Sequence, residues 1–374
     1  MKAKEELSAL RKKIDEIDGK LIPLFQERMN AALKAGDLKV RENMPIQDAA
    51  REQEVVNRAV SLAREDLKSE VTLLMRSVIA LSREYERTKV INSEIPLLPP
   101  PRKPAEENIS CAYQGVPGAW SEQALIKLFP EADSKPVEFF EDVFIAVKEK
   151  RVNYGVVAIE NSQTGAIGET YDLLRKYGCF IVGRTWIDIQ QCLLAPPGTS
   201  ISDIREVFSH PEGFRQCGRF LHGRSWDLTA CRNTAVAAET VSRMNNGRTA
   251  SIGSRRAAEL NGLDVLSPDI MDSAANRTSF VVIANEPEYD EDCGLISITF
   301  SVLHRAGALC EALMPLMAQG VNLLRIESRP ATADKYRFFA ELSACILDAD
   351  IISALRQMAS CCEYFEVIGC YKNT

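Results

Sequence analysis

Residues 92–108 read NSEIPLLPPPRKPAEEN and carry Pro96, Pro99, Pro100, Pro101 and Pro104. Proline fixes φ and removes a backbone donor, so this stretch forms neither a helix nor an inner strand. It is a linker, and the hydrophobic patterns on its two sides differ. Upstream, the chain reads as helix throughout. Downstream, short β-type runs alternate with helical patterns: Val156 to Ile159 then Ile167 to Tyr177, Glu206 to Ser209 then Gly213 to Leu221, Ala250 to Ile252 then Arg255 to Leu260. The alternation closes on a strand from Phe280 to Ala284 and predicts an α/β domain with a largely parallel sheet. The acidic stretch Glu286 to Asp292 marks a second boundary. Beyond it the order is strand (Leu295 to Leu303), helix (Ala308 to Ala318), strand (Asn322 to Ser328), strand (Tyr336 to Leu347), helix (Ile351 to Ala359), strand (Phe365 to Tyr371). That βαββαβ order is ferredoxin-like. The expected division is an all-α domain at 1–91, the linker at 92–108, an α/β domain at 109–285 and an α+β domain at 294–374.

The 374 residues suit two or three cores rather than one, and 46% hydrophobic with 26% charged residues is a globular balance. A net charge of −7 argues against a general nucleic-acid or anionic-membrane binder, which needs a positive field. No apolar run reaches the length of a membrane span. The start, Met1-Lys2-Ala3-Lys4-Glu5-Glu6, lacks the apolar core of a signal peptide. Eleven cysteines without a Cys-x-x-Cys motif are expected to be reduced thiols of a cytoplasmic protein. His210, His222 and His304 form no close-spaced ligand set, so no zinc site is expected.

In the first segment Leu7, Leu10, Ile14, Ile17, Leu21 and Leu24 make one apolar seam on a long helix. Continuing the spacing reaches Arg28, Ala31, Ala35 and Leu38, so a guanidinium stands where the pattern wants a buried side chain. Arg11 and Lys39 flank the same seam. Pro23 and Gly36 weaken the helix locally, and nothing in the sequence accounts for either. A helix from Lys4 to Lys39 is roughly 50 Å long. A segment this short cannot cover it alone, which points to an intertwined dimer. On the next helix Asp48, Arg51, Glu52, Val55, Ala59 and Leu62 share a face, and on the third Met75, Val78 and Ile79 give way to Ser82 and Glu86. Two readings stand side by side: interhelical salt bridges, or a buried pocket whose cations take their partners from a small dianion.

The α/β segment places five short motifs at strand ends, where such folds put their ligands. They are Tyr113-Gln114-Gly115-Val116-Pro117-Gly118-Ala119-Trp120-Ser121, Ile159-Glu160-Asn161-Ser162, Ser209-His210-Pro211 with Gln216-Cys217, Asn233-Thr234-Ala235, and Asn276-Arg277-Thr278-Ser279-Phe280. Taken singly each has a plain structural role, with Asn161, Ser209 and Thr234 as helix N-caps. In the last segment Arg305-Ala306-Gly307-Ala308-Leu309 starts a helix that Gly320 ends, and the next strand closes with Glu327-Ser328-Arg329-Pro330.

The first segment resembles the all-helical chorismate mutases through Leu10-Arg11, Ile14-Asp15, Ile17-Asp18, Glu27-Arg28, Lys39 and Asp48-x-x-Arg51-Glu52. The resemblance implies that Arg28 and Arg51 hold the carboxylates of chorismate together with Arg11 from the partner subunit. It puts Lys39 on the ether oxygen, Asp48 and Glu52 near the ring hydroxyl, and Ser82 near a carboxylate. Where some members have a glutamine, this chain has Glu86. A carboxylate cannot donate to the ether oxygen but a carboxylic acid can, so Glu86 is expected to be protonated when active. The five motifs together resemble prephenate dehydratase. That implies two α/β lobes like a periplasmic binding protein, Thr278 as the catalytic threonine, and Glu160, Asn161, Ser209 and Gln216 at the other active-site positions. The family's Thr-Arg-Phe is here Thr278-Ser279-Phe280, and Arg277 is the nearest arginine in sequence.

The last segment looks like the ACT domain of prephenate dehydratases. There Gly307, Ala308 and Leu309 with Glu327, Ser328, Arg329 and Pro330 would bind phenylalanine at a subunit interface. The implied protein is a homodimer or tetramer taking chorismate to prephenate to phenylpyruvate without metal or organic cofactor, under phenylalanine feedback. The alternatives are an arogenate dehydratase fused to the mutase, and a mutase carrying a silent phenylalanine sensor.

Overall fold

The apolar seam from Leu7 to Leu24 lies on one unbroken helix, α1 (Lys2–Arg41), which runs through Pro23. The computed structural model describes residues 2–42, 44, 48–90, 97–105, 107–273, 275–332 and 335–372. Linker residues 92–96, Pro96 among them, lie outside the described residues, as does residue 91 at the end of the first segment. From 97 to 105 the chain is neither helix nor strand. Helix α2 (Ala49–Leu62) starts where the Asp48 carboxylate accepts the Arg51 N–H at 3.0 Å, satisfying a donor that the first turn leaves open. Helix α3 (Lys68–Val90) completes the upstream set.

Downstream come β1 (Ser110–Gln114), α4 (Trp120–Leu128), β2 (Asp133–Val137), α5 (Phe140–Lys148), β3 (Tyr154–Asn161), β4 (Gly165–Ala166), α6 (Gly168–Tyr177) and β5 (Phe180–Asp188). The chain then crosses to a second sheet built from β6 (Cys192–Ala195), β7 (Glu206–Ser209), β8 (Asp227–Ala230), β9 (Thr249–Gly253) and β10 (Asp264–Ser267). Between those strands lie α7 (Pro211–Gln216), α8 (Gly218–Leu221), α9 (Thr234–Met244) and α10 (Arg255–Asn261). It returns through β11 (Arg277–Ala284), which is antiparallel to both β3 and β5. The last elements are β12 (Leu295–Ser301), α11 (Ala308–Ala318), β13 (Asn322–Thr332), β14 (Lys335–Ser343), α12 (Ala349–Cys361) and β15 (Tyr364–Tyr371). Their strand order, β13-β14-β12-β15, is that of a ferredoxin-like sheet.

The chain forms two compact units. The first takes in the described residues within 1–96, Val302–Gly320 and Ser353–Tyr364. The second takes in the rest, so that the C-terminal strands continue the larger sheet, β15 lying parallel to β5 at Gly369 and Ile181. A Cβ on Gly369 would fall 2.3 Å from the Ile181 carbonyl oxygen, so only glycine lets the two strands meet.

Alternation along β11 makes the two-sided core of the larger sheet. Val281 and Ile283 pack with Val143, Phe144, Tyr171 and Leu174 of α5 and α6, while Phe280 and Val282 pack with Ala124 and Leu125 of α4. The expectation of a largely parallel sheet needs correcting. Parallel pairs (β1 with β2 and β3, β7 with β8 and β9) share the sheets with antiparallel ones (β11 with β3 and β5, β6 with β9 and β10). The cause is the double crossing: a strand that returns from the second sheet beside the one that left must run the opposite way. The helix expected from Gly213 to Leu221 is two, broken at Cys217, because Asp272 accepts the Arg219 N–H at 2.9 Å and starts α8 afresh. Strand β13 runs past Ser328 to Thr332, so Glu327-Ser328-Arg329-Pro330 lies within it. β13 is the sheet's edge strand, where Pro330 is tolerated. Among the described residues no helix is long and apolar enough to cross a membrane.

Candidate functional site

Helices α1, α2 and α3 enclose a pocket lined by Arg28, Lys39, Asp48, Arg51, Glu52, Ser82, Arg83 and Glu86 among a few apolar side chains. Seven of these were singled out in the sequence. Arg28 donates to the Ser82 hydroxyl and, at 3.3 Å, to the Val78 carbonyl. Glu86 is buried, and burial raises its carboxyl above the usual range although Lys39 and Arg28 pull it down. Gly36 now has a reason. A Cβ there would lie 3.1 Å from Glu86 Cγ, so glycine makes the room in which the Glu86 side chain lies. Arg51 lines the pocket, but its guanidinium also pairs with Glu54 at 2.6 Å and is half exposed. Arg11 is exposed on α1 and does not line this pocket.

Arg83 was missed. It pairs with Glu52 at 3.3 Å and, through its other terminal nitrogen, with Glu311 of α11 at 2.8 Å. A lone arginine next to Ser82 reads as a solvated helix face, and only its partners reveal it as pocket lining.

In the α/β fold Asn161, Thr278 and Gln216 lie against the two segments that cross between the sheets, and Ser209 stands at the end of β7. Thr278 on β11 is in register with Asn161 on β3, and Asn161 Nδ2 donates to Thr278 Oγ1 at 3.0 Å and to Asn276 Oδ1 at 2.8 Å. Asn161 Oδ1 accepts from the Gln163 and Thr164 N–H groups at 2.9 and 3.2 Å. Asn161 is therefore no helix cap, and its amide is fixed with nitrogen toward the threonine. Ser209 and Thr234 are not caps either. Those roles fall to His210 and Asn233, and Ser209 donates to the Ile252 carbonyl at 3.1 Å. Gln216 accepts from Gln191, just after β5, at 3.3 Å. Gln191 and Asn276 belong to the two crossing segments, which meet where the Ile189 N–H donates to the Asn276 carbonyl at 2.8 Å.

Ser279 is in register with Glu160, and its hydroxyl accepts from Arg184 Nε at 2.9 Å. Arg184 lies on β5, is buried, pairs with Glu341, and comes within 3.9 Å of Glu160. A guanidinium thus stands beside position 279 from the neighbouring strand. Arg277 does not take that role. It lies on the same face as Ser279 but turns to Asp188 at 2.8 Å and packs over Trp186. Glu160 also pairs with Arg325 of β13. Arg184 and Arg325 were not singled out, although each is a charge inside an apolar β run.

At the C-terminal end Gly307, at φ +82°, caps the N-terminus of α11, Ala308 is buried, and Leu309 follows in its first turn. Gly320, at φ +66°, follows its last turn. Along β13 the half-buried residues Glu327 and Arg329 alternate with exposed Ser328 and Pro330. Arg329 pairs with Asp172 of α6 at 2.9 Å.

Known families divide the chain as its two sites do. Chorismate mutase type II matches residues 10–87, and prephenate dehydratase matches residues 111–288. The chain is a two-activity enzyme, an isomerase joined to a carbon–oxygen lyase. It is 30% identical to the bifunctional chorismate mutase/prephenate dehydratase of Escherichia coli K12, over 99% of this chain and 97% of that one. It is 34% identical to arogenate dehydratase/prephenate dehydratase 1, chloroplastic, of Arabidopsis thaliana, over 71% of this chain and 72% of the relative. Two solved structures share its fold. GqqA, described as a novel type of quorum quenching acylase, has TM-score 0.65 and 30% identity, over 71% of this chain and 98% of that one. The prephenate dehydratase of Arthrobacter aurescens, solved in complex with L-Phe, has TM-score 0.65 and 24% identity, over 71% of this chain and 90% of that one. The chain belongs to the bifunctional chorismate mutase/prephenate dehydratase family. It rearranges chorismate to prephenate and converts prephenate to phenylpyruvate in phenylalanine biosynthesis.

Proposed function

We propose that each reaction runs on the residues gathered above and that phenylalanine, bound at an ACT-type C-terminal domain, restrains the second. The observation that carries the reading is the mutase pocket, where cations surround a carboxyl held above its usual range. A Claisen rearrangement needs no nucleophile. It needs a fixed reactive conformer and charge stabilised on the breaking ether oxygen. Arg28 and Arg51, with Arg11 from a second copy, hold the two carboxylates, and Ser82 orients Arg28. Lys39 and protonated Glu86 donate to the ether oxygen. Asp48 and Glu52 face the ring hydroxyl.

In the dehydratase Thr278 donates to the departing ring oxygen. The C–O bond and the bond to the ring carboxylate break together: the latter's electrons complete the aromatic ring as carbon dioxide leaves, and the departing hydroxyl leaves as water with a proton passed through Thr278, which solvent replaces. Glu160, Asn161, Ser209 and Gln216 complete the site. Gly307, Ala308 and Leu309 with Glu327, Ser328, Arg329 and Pro330 take the effector. We keep the division into 1–91, 92–108, 109–285 and 294–374, and the cytoplasmic location that fits eleven free thiols. Activity recovered outside the reducing compartment would overturn that location.

The test is phenylpyruvate formation from prephenate by the purified protein, with and without phenylalanine. The expected result is turnover that millimolar phenylalanine suppresses. No turnover with mutase activity intact would reduce the central fold to a silent binding module. Faster conversion of arogenate than of prephenate would make it an arogenate dehydratase.

The same reading makes the protein a homodimer or a tetramer. Leu10, Ile14, Ile17, Leu21 and Leu24 are 60%, 55%, 54%, 52% and 63% exposed in the single chain. A contiguous apolar seam of that kind is covered by another surface. Sedimentation is expected at twice the chain mass or more, and a monomer at micromolar concentration would refute it.

A further inference from the structure

We propose that Arg325 is a positioning residue of the dehydratase site, supplied by the C-terminal sheet. The proposal rests on the reading of Glu160 as an active-site carboxylate. Glu160 stands near the C-terminal end of β3, one residue before the asparagine that holds Thr278. Arg325 reaches it from β13, pairing with the carboxylate and donating to Tyr171 Oη at 2.6 Å. The guanidinium is largely buried, at 13% side-chain exposure, so it is held rather than free to swing. The charged groups around it are Arg184 on β5 and Glu341 on β14, which are paired to each other, and Glu327 on its own strand.

Strand β13 has a second hold on the same place. Arg325, Glu327 and Arg329 are half-buried while their neighbours are exposed, so one face of β13 turns inward. Arg329 pairs with Asp172, and its guanidinium lies so close over Gly168 that a Cβ there would collide with it. Gly168 opens α6, the helix that follows the Glu160-Asn161 turn. One strand face therefore fixes both the carboxylate and the start of the helix behind it. The Glu160 carboxylate, half-buried between Arg184 and Arg325, keeps one orientation, and losing either arginine leaves it to turn away.

The test is a double-mutant cycle on the full chain, with Arg325→Gln, Glu160→Gln and both together, and Arg325→Lys as the conservative variant. Prephenate dehydration is followed alongside chorismate rearrangement, which reports on the first unit, and thermal unfolding of each variant reports whether the second unit is folded. Arg325→Gln is expected to lower dehydratase kcat by about tenfold to a hundredfold with mutase activity kept. Arg325→Lys should recover a large part of it. The double variant should be no slower than Glu160→Gln alone, because the arginine acts through the carboxylate. Losses that multiply in the double variant would overturn the proposal. So would Arg325→Gln with wild-type turnover while Glu160→Gln is impaired. Undiminished turnover in Glu160→Gln would instead remove the underlying assignment of Glu160.

Discussion

Glu86→Gln is expected to keep its mutase activity at alkaline pH, where the unaltered protein loses it. Burial raises the Glu86 carboxyl above its ordinary range, against the pull of Lys39 and Arg28. Below that raised pKa the group is neutral and can donate a hydrogen bond. As pH rises through it the proton leaves, the donor becomes an acceptor, and a negative charge faces the ether oxygen where negative charge must develop. Losing one such donor typically costs about 10²–10³ in rate. The unaltered protein should therefore fall by that order as pH is taken from the acid to the alkaline side of that raised pKa, and the glutamine variant, a donor at every pH, should stay nearly flat. Glu52, Arg83, Lys39 and Arg28 surround the group in both proteins, so any slope they cause is shared. The measurement is kcat/KM for chorismate loss across that range. Parallel profiles for the two proteins would refute the assignment.

Thr278→Val should stop dehydration and leave rearrangement untouched. Valine matches threonine in shape and removes only the hydroxyl. Asn161 Nδ2 keeps Asn276 Oδ1 as a partner at 2.8 Å, so no buried donor is stranded and the fold should lose only about 1 kcal/mol. The chemical loss is larger, because a positioned proton donor contributes about 10²–10⁴. Given chorismate, the variant should accumulate prephenate and make almost no phenylpyruvate. The substitution also separates Thr278 from Glu160, whose Gln variant would impair the same step for a different reason. Dehydration within about threefold of the unaltered rate would exclude Thr278 as the donor.

Much of this protein was legible in its sequence, because local patterns record local physics. Pro99, Pro100, Pro101 and Pro104 lie in a stretch that is neither helix nor strand, and a 3-4 spacing from Leu7 to Leu24 marks one helix whose apolar seam the single chain leaves exposed. Buried positions in helices and strands repeat with the period of the backbone, so Arg28, Ser82 and Glu86 stood out as polar groups in apolar places, and they share one pocket. The strand-end motifs were legible for the same reason: Glu160, Asn161 and Thr278 sit at the ends of runs that the backbone must leave open.

What stayed hidden depends on residues far apart in sequence. Gly36 looked like a fault in a helix until Glu86, fifty positions on, was found packed against it. Arg83 became pocket lining only through Glu52 and Glu311. The cation beside Ser279 comes from Arg184 on the adjacent strand, and Glu160 is held by Arg325 from the C-terminal sheet. β11 runs antiparallel because the chain crosses twice between sheets, a matter of topology that no alternating pattern records. Periodicity determines which residues must be buried, because that follows from the geometry of one element. Which buried charge meets which is decided by how elements pack, and only the tertiary structure contains it.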